Sequence, residues 1–173
     1  MEDKINKKLK KNENDLLIKV NEEMEESLEK FKRRKNLVIY GMLEKKGENE
    51  KEKYEADCMN IKKLLRELNM DIKHFEISRI GKQNIKGKPR PIRIELNKES
   101  EKYEILRNAA KLRFTENEEF KKVIINTDMS LKEREFQKLL REELKERRQA
   151  GERNIKIRKG RIVRTDEGGE EQN

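Results

Sequence analysis

Ile5, Leu9, Leu16, Val20, Met24, Leu28 and Phe31 recur mostly every three or four positions, with charged residues between them. That spacing predicts one helix over residues 5–33 with a single apolar stripe. No Pro or Gly interrupts it. So charged a helix is marginal alone in water, so the stripe predicts self-association as a short, imperfect coiled coil, or packing against the domain behind it.

From Asn36 the pattern changes to Leu37-Val38-Ile39-Tyr40, a β-branched and aromatic run closed by Gly41, which predicts a strand. Residues 45–51 read as a polar loop. Tyr54, Cys58, Ile61, Leu65 and Leu68 then predict an amphipathic helix over about 51–69. Phe75, Ile77 and Arg79-Ile80 predict a second strand ending at Gly81, followed by a basic loop from Lys82 to Pro89. That loop is no Walker A motif, because Gly87-Lys88 is followed by Pro89 where a hydroxyl and a helix start are needed.

Ile92, Ile94 and Leu96 alternate with Arg93 and Glu95, which predicts a third strand covered on one side. Asn97 stands where the N-cap of a helix through Leu112 is expected, with Tyr103, Leu106, Ala109 and Ala110 as its stripe. Val123-Ile124-Ile125 predicts a fourth strand ending near Asp128. Ser130 and Glu133 form a capping box opening a helix with Phe136, Leu140 and Leu144 on its apolar side and Gly151 as its stop. Ile155, Ile157, the Lys159-Gly160 turn, Ile162 and Val163 predict a small hairpin bearing Lys156, Arg158, Lys159 and Arg161.

The expected fold class is α+β in four parts: an amphipathic helix or short coiled coil (1–33), a β-α-β-β-α-β domain of ferredoxin-like order (34–128), a C-terminal helix plus hairpin (129–164), and a disordered acidic tail (165–173).

Composition narrows the chemistry. Of 173 residues, 47% are charged, 32% hydrophobic and 5% aromatic, with no Trp and a mean hydropathy of −1.22, so the core is small. The formal net charge of +9, with pI near 9.5, fits a polyanionic partner, nucleic acid ahead of an anionic membrane. The excess concentrates in residues 76–98, with seven cations and two anions, and 129–164, with thirteen and six. One cysteine, Cys58, and one histidine, His74, leave no set for zinc or an intramolecular disulfide. Cys58 reads as a small buried hydrophobe rather than a nucleophile. The charged N-terminus and the absence of a long apolar run predict neither secretion nor a membrane span.

The RRM order predicts an uncovered sheet face, on which Val38, Tyr40, Pro91, Arg93 and Glu95 point outward. The RNP1 aromatic box is missing, so Tyr40 is the one candidate for base stacking. Cations dominate the rest of that reading, which predicts phosphate-led binding to a single strand.

Read together, Arg33-Arg34-Lys35-Asn36-Leu37-Val38-Ile39-Tyr40-Gly41 with Glu44, Arg79-Ile80-Gly81-Lys82, Lys88-Pro89-Arg90-Pro91-Ile92-Arg93-Ile94, Ile105-Leu106-Arg107-Asn108-Ala109-Ala110-Lys111-Leu112 and the stretch from Asp128 to Phe136 resemble the first open reading frame protein of LINE-type non-LTR retrotransposons. The resemblance covers about residues 33–164. It implies a trimerising coiled coil, an atypical RRM and a C-terminal domain, with RNA held between the last two by arginines. It also implies a nucleic-acid chaperone that coats the element's transcript as a ribonucleoprotein, cytoplasmic and also nuclear, without catalytic activity or cofactor. By that resemblance Arg79, Arg90, Lys111 and Arg134 take binding roles. Charge adds Lys82, Lys88, Arg93, Arg158 and Arg161 to the candidate interface, with single-stranded RNA as the expected ligand, DNA as a second, and a second copy of the chain as the expected partner.

Two other classes compete. A nuclease using Asp128 with Asp57 or Glu95 as metal ligands lacks any spacing motif tying those acids together. A coiled-coil adaptor, or a decayed transposon copy, would carry the basic face incidentally.

Overall fold

The computed structural model describes residues 2–44, 49–82 and 88–165, with side chains from residue 10 onward. It divides into two compact units, Lys30–Asp128 and Met1–Glu29 together with Met129–Asn173. The chain is α+β. The loop expected at 45–51, the basic loop beyond Lys82 and the acidic tail fall largely outside the described residues.

In the unit Lys30–Asp128, β1 (Asn36–Tyr40), β2 (Phe75–Arg79), β3 (Ile92–Leu96) and β4 (Ile124–Thr127) form one antiparallel sheet ordered β2-β3-β1-β4. Central β1 aligns Leu37 with Ile94 and Ile39 with Ile92 on one side, and Ile39 with Ile125 on the other. The period of two puts these residues on one face. α2 (Glu50–Glu67) and α3 (Glu99–Asn108) belong to the same unit. The core joins Leu37, Ile39, Ile92, Ile94 and Leu96 of the sheet to Ile61, Leu64 and Leu65 of α2 and Ile105 of α3. Burying such side chains is the main stabilising term, about 1.5–3 kcal/mol each.

Both helices bury a stripe shifted from the one their apolar residues predict. On α2 the buried line runs Asp57, Ile61, Leu64 and Leu65, while Tyr54 is exposed and Cys58 only partly covered. On α3 Lys102 and Ile105 are buried and Tyr103 is exposed. In each case a charged residue has entered because the unit offers it a partner: Asp57 meets Arg79, and Lys102 Nζ donates to the carbonyl of Arg34 at 2.9 Å. The α3 N-cap is Lys98 rather than Asn97, and its N–H donates to Glu101 Oε2 at 3.1 Å. α3 continues into a 3-10 segment, Ala109–Phe114, and then a four-residue helix, α4 (Glu118–Lys121), which apolar spacing did not foretell.

Gly41, with φ of +83°, ends β1. A Cβ there would stand 2.5 Å from the backbone oxygen of Lys122. Conformation and space both require glycine.

The other unit holds α5 (Leu131–Gln149) and the hairpin β5 (Ile155–Arg158) and β6 (Arg161–Arg164). The capping box forms: Glu133 N–H donates to Ser130 Oγ at 3.1 Å, and Ser130 N–H to Glu133 Oε2 at 2.9 Å. Ser130 Oγ in turn donates to Glu26 Oε1 at 2.5 Å. Leu140 and Ile155 are the buried apolar contacts of α5 and the hairpin, while Phe136, expected on the inner stripe, stays half exposed.

The long helix α1 (Glu2–Arg33) extends over the whole predicted segment. Leu16, Leu17, Val20, Met24, Leu28 and Phe31 are all exposed along it. Among the described residues no helix is long and apolar enough to cross a membrane.

Candidate nucleic-acid interface

Arg79 closes β2 with its guanidinium turned into the protein. Nε and Nη2 donate to the two Asp57 carboxylate oxygens at 2.8 and 2.5 Å, Nη1 to the carbonyls of Met42 (2.8 Å) and Arg90 (2.5 Å), and Nη2 also to that of Leu43 (3.0 Å). A guanidinium has five N–H donors, and all five are used. The side chains of Arg79 and Asp57 are 8% and 9% exposed. Arg79 is therefore an anchor that joins β2 to the turns after β1 and before β3, with every guanidinium N–H directed to the protein rather than to the surface where a phosphate contact was expected.

Arg90 is engaged similarly at the surface. Its guanidinium forks over Glu44, with Nη2 to Oε2 at 3.1 Å, its backbone N–H reaches Glu44 Oε1 at 2.6 Å, and Nη1 donates to the carbonyl of Gly81. Partial burial pushes the Glu44 carboxyl up, but the hydrogen bonds and charge of Arg90, with Arg79 beyond, outweigh it and hold its pKa below the usual 4.5. Both arginines thus fix the stems of the basic segment, leaving Lys82 and Lys88 exposed at its ends.

The second sheet face differs from expectation. Val38 lies on it but is only 5% exposed, whereas Tyr40 is 42% exposed beside Ile124, its cross-strand neighbour. Glu76 stands opposite Glu95, and Ser78 opposite Arg93. One guanidinium among two carboxylates does not make a cationic platform. Arg93 and Lys111 are exposed, on β3 and the 3-10 segment, on different elements.

The hairpin carries a dense cationic surface. Residues 153–164 contain six cations, Arg153, Lys156, Arg158, Lys159, Arg161 and Arg164, and no anion, and all six are exposed. Arg158 and Arg161 are cross-strand partners flanking the turn. Lys159 (φ +49°) and Gly160 (φ +72°) are both left-handed, the geometry of a type I′ turn. Lys159 is thereby held at the tip, in a conformation where Asn is the more comfortable residue. Arg134 lies exposed in α5, a few residues from its N-cap. Arg153 and Arg164 belong to this surface although the turn-centred sequence reading left them out; counting charge to the ends of both strands would have found them.

Two of the three acids considered for metal chemistry are committed elsewhere, and the third, Glu95, lies exposed on β3. Asp57 pairs with Arg79; Asp128 accepts from Arg33 Nη1 at 2.9 Å and from Asn36 Nδ2 at 3.3 Å. Among the described residues no group of three or more His, Cys, Asp or Glu is gathered for a metal ion. Compared with known proteins, the chain matches no family model and no curated protein.

Proposed function

We propose that this protein binds single-stranded nucleic acid, RNA foremost, as a chaperone that coats the transcript of a non-LTR retrotransposon, and that it is not an enzyme. The observation that carries the binding reading is the hairpin: six exposed cations on twelve residues, with no carboxylate among them. Such a surface favours a polyphosphate chain and gains affinity by releasing its counterions. Arg134, Lys82 and Lys88 add exposed charge. The strand order β2-β3-β1-β4 supports an RRM-type reading of Lys30–Asp128, without its aromatic platform. Contacts made through mobile lysines and arginines let strands exchange, which suits a chaperone in a cytoplasmic and nuclear ribonucleoprotein.

The exposed apolar line on α1 supports self-association through that helix. It also favours a second reading, a coiled-coil adaptor with an incidental basic surface.

Titrating a fluorescent single-stranded RNA and a matching DNA duplex at several salt concentrations tests the proposal. Engagement of all six hairpin cations gives a log-log salt slope of roughly −4 on a single strand. Arg134→Ala and Arg158→Ala weaken binding across unrelated sequences. Absence of binding at low salt, or equal affinity for duplex with no effect of either substitution, leaves the adaptor.

A further inference from the structure

We infer that Phe136 is a stacking platform for an unpaired base, so that the C-terminal surface recognises bases as well as phosphates; this rests on the single-strand binding reading above. Phe136 lies on α5, where sequence spacing assigns it to the inner stripe with Leu140. Leu140 is buried, but Phe136 remains 51% exposed.

Its location is what gives that exposure a use. A Cβ built on Gly160 would stand 3.5 Å from Phe136 Cε1, so one edge of the ring rests against the hairpin turn. That turn is the point where Arg158, Lys159 and Arg161 converge. A half-hydrated ring against a turn whose positions 158, 159 and 161 are all cations, with no carboxylate from 153 to 164, is complementary to a ligand that joins negative charge to flat apolar groups. A single strand is such a ligand, since every base has a π face and every link a phosphate. A duplex is not, because its bases are already stacked on one another.

The predicted stacking is tolerant of sequence, because a phenyl ring has no hydrogen-bonding edge with which to read a base. Affinity for single strands therefore has two separable parts: a salt-dependent one from the hairpin cations and a salt-independent one from the ring.

The full chain with Phe136→Leu or Phe136→Trp tests this. Phe136→Leu keeps an apolar side chain against Gly160 but removes the ring. It should weaken single-stranded RNA binding roughly tenfold, leave the salt slope unchanged and leave binding to duplex and to inorganic polyphosphate unchanged. The chain has no tryptophan, so Phe136→Trp introduces a lone indole. Its emission should be quenched by single-stranded RNA and not by polyphosphate. RNA affinity of Phe136→Leu equal to wild type, or an indole indifferent to RNA, overturns the stacking role while the binding reading stands. A loss that appears equally on duplex or polyphosphate overturns it too, as altered hairpin packing. Wild-type protein that binds no RNA at low salt removes both.

Discussion

Arg79 carries five guanidinium N–H donors at one stem of the basic segment, and it gives every one of them to the protein. In a site largely withdrawn from water, a guanidinium fully satisfied by one carboxylate and three carbonyls has little to gain from a phosphate, and its partner has much to lose from its removal. Asp57→Ala leaves that guanidinium buried without its counter-charge, which should lower stability by about 3–5 kcal/mol. Chemical denaturation of wild type and variant checks this; a loss below about 1 kcal/mol would mean that the pair is solvated and dispensable. Glu44 adds a pH dependence of defined sign. Its folded-state pKa is held below 4.5, so its contribution is complete above that value and is lost as pH falls through the lowered one. Glu44→Gln should therefore be less stable than wild type near neutrality, and the gap should close in acid. Thermal melts of both proteins from about pH 7 to pH 3 report it, and a gap that widens in acid contradicts the Arg90 pairing.

Elements whose partners are apolar could be read from spacing alone. The alternation Ile92, Ile94, Leu96 names the covered face of β3 without ambiguity, and the Ser130–Glu133 box marks the start of α5 to the residue. The shifted stripes of α2 and α3 were not legible, because nothing local tells Asp57 or Lys102 that Arg79 or the carbonyl of Arg34 awaits it across the unit. The same blindness hid the role of Arg79: a basic residue at a strand end looks identical whether it faces solvent or a buried carboxylate. Phe136 failed in the opposite direction, since periodicity places an aromatic on the inner side but cannot say how far a small hairpin covers it. On α1 the stripe is legible and its partner is not. Leu16, Val20, Met24, Leu28 and Phe31 recur every three or four residues and are all exposed, as is Leu17 beside them, and we propose this line as the seam of a coiled coil. Leu17→Lys with Met24→Lys should shift the protein to a smaller mass in sedimentation equilibrium and leave hairpin-dependent RNA affinity per chain unchanged, with only avidity reduced. A wild type that sediments as a monomer removes the seam.

Across the whole molecule, an excess of charge and a scarcity of apolar residues set stability and binding against each other. Cations crowded on one hairpin repel one another in the free protein, and the repulsion is relieved when counterions or phosphates arrive. Lys159 shows the opposition within one residue. It holds a left-handed conformation unfavourable to a side chain of its kind, and it does so at the tip of the basic hairpin. Lys159→Asn substitutes the residue that a type I′ turn prefers and removes one charge from the cluster. Both changes favour the folded state, so the variant should be more stable by about 0.5–1 kcal/mol. Its affinity for single-stranded RNA should nevertheless fall at low salt, with the log-log slope reduced by roughly 0.7, one phosphate contact fewer. Stability and binding must move in opposite directions for the tip cation to be part of the interface. If Lys159→Asn raises stability and leaves both affinity and slope untouched, the turn is outside the path of the strand, and binding must be sought on Arg134, Lys82 and Lys88 instead.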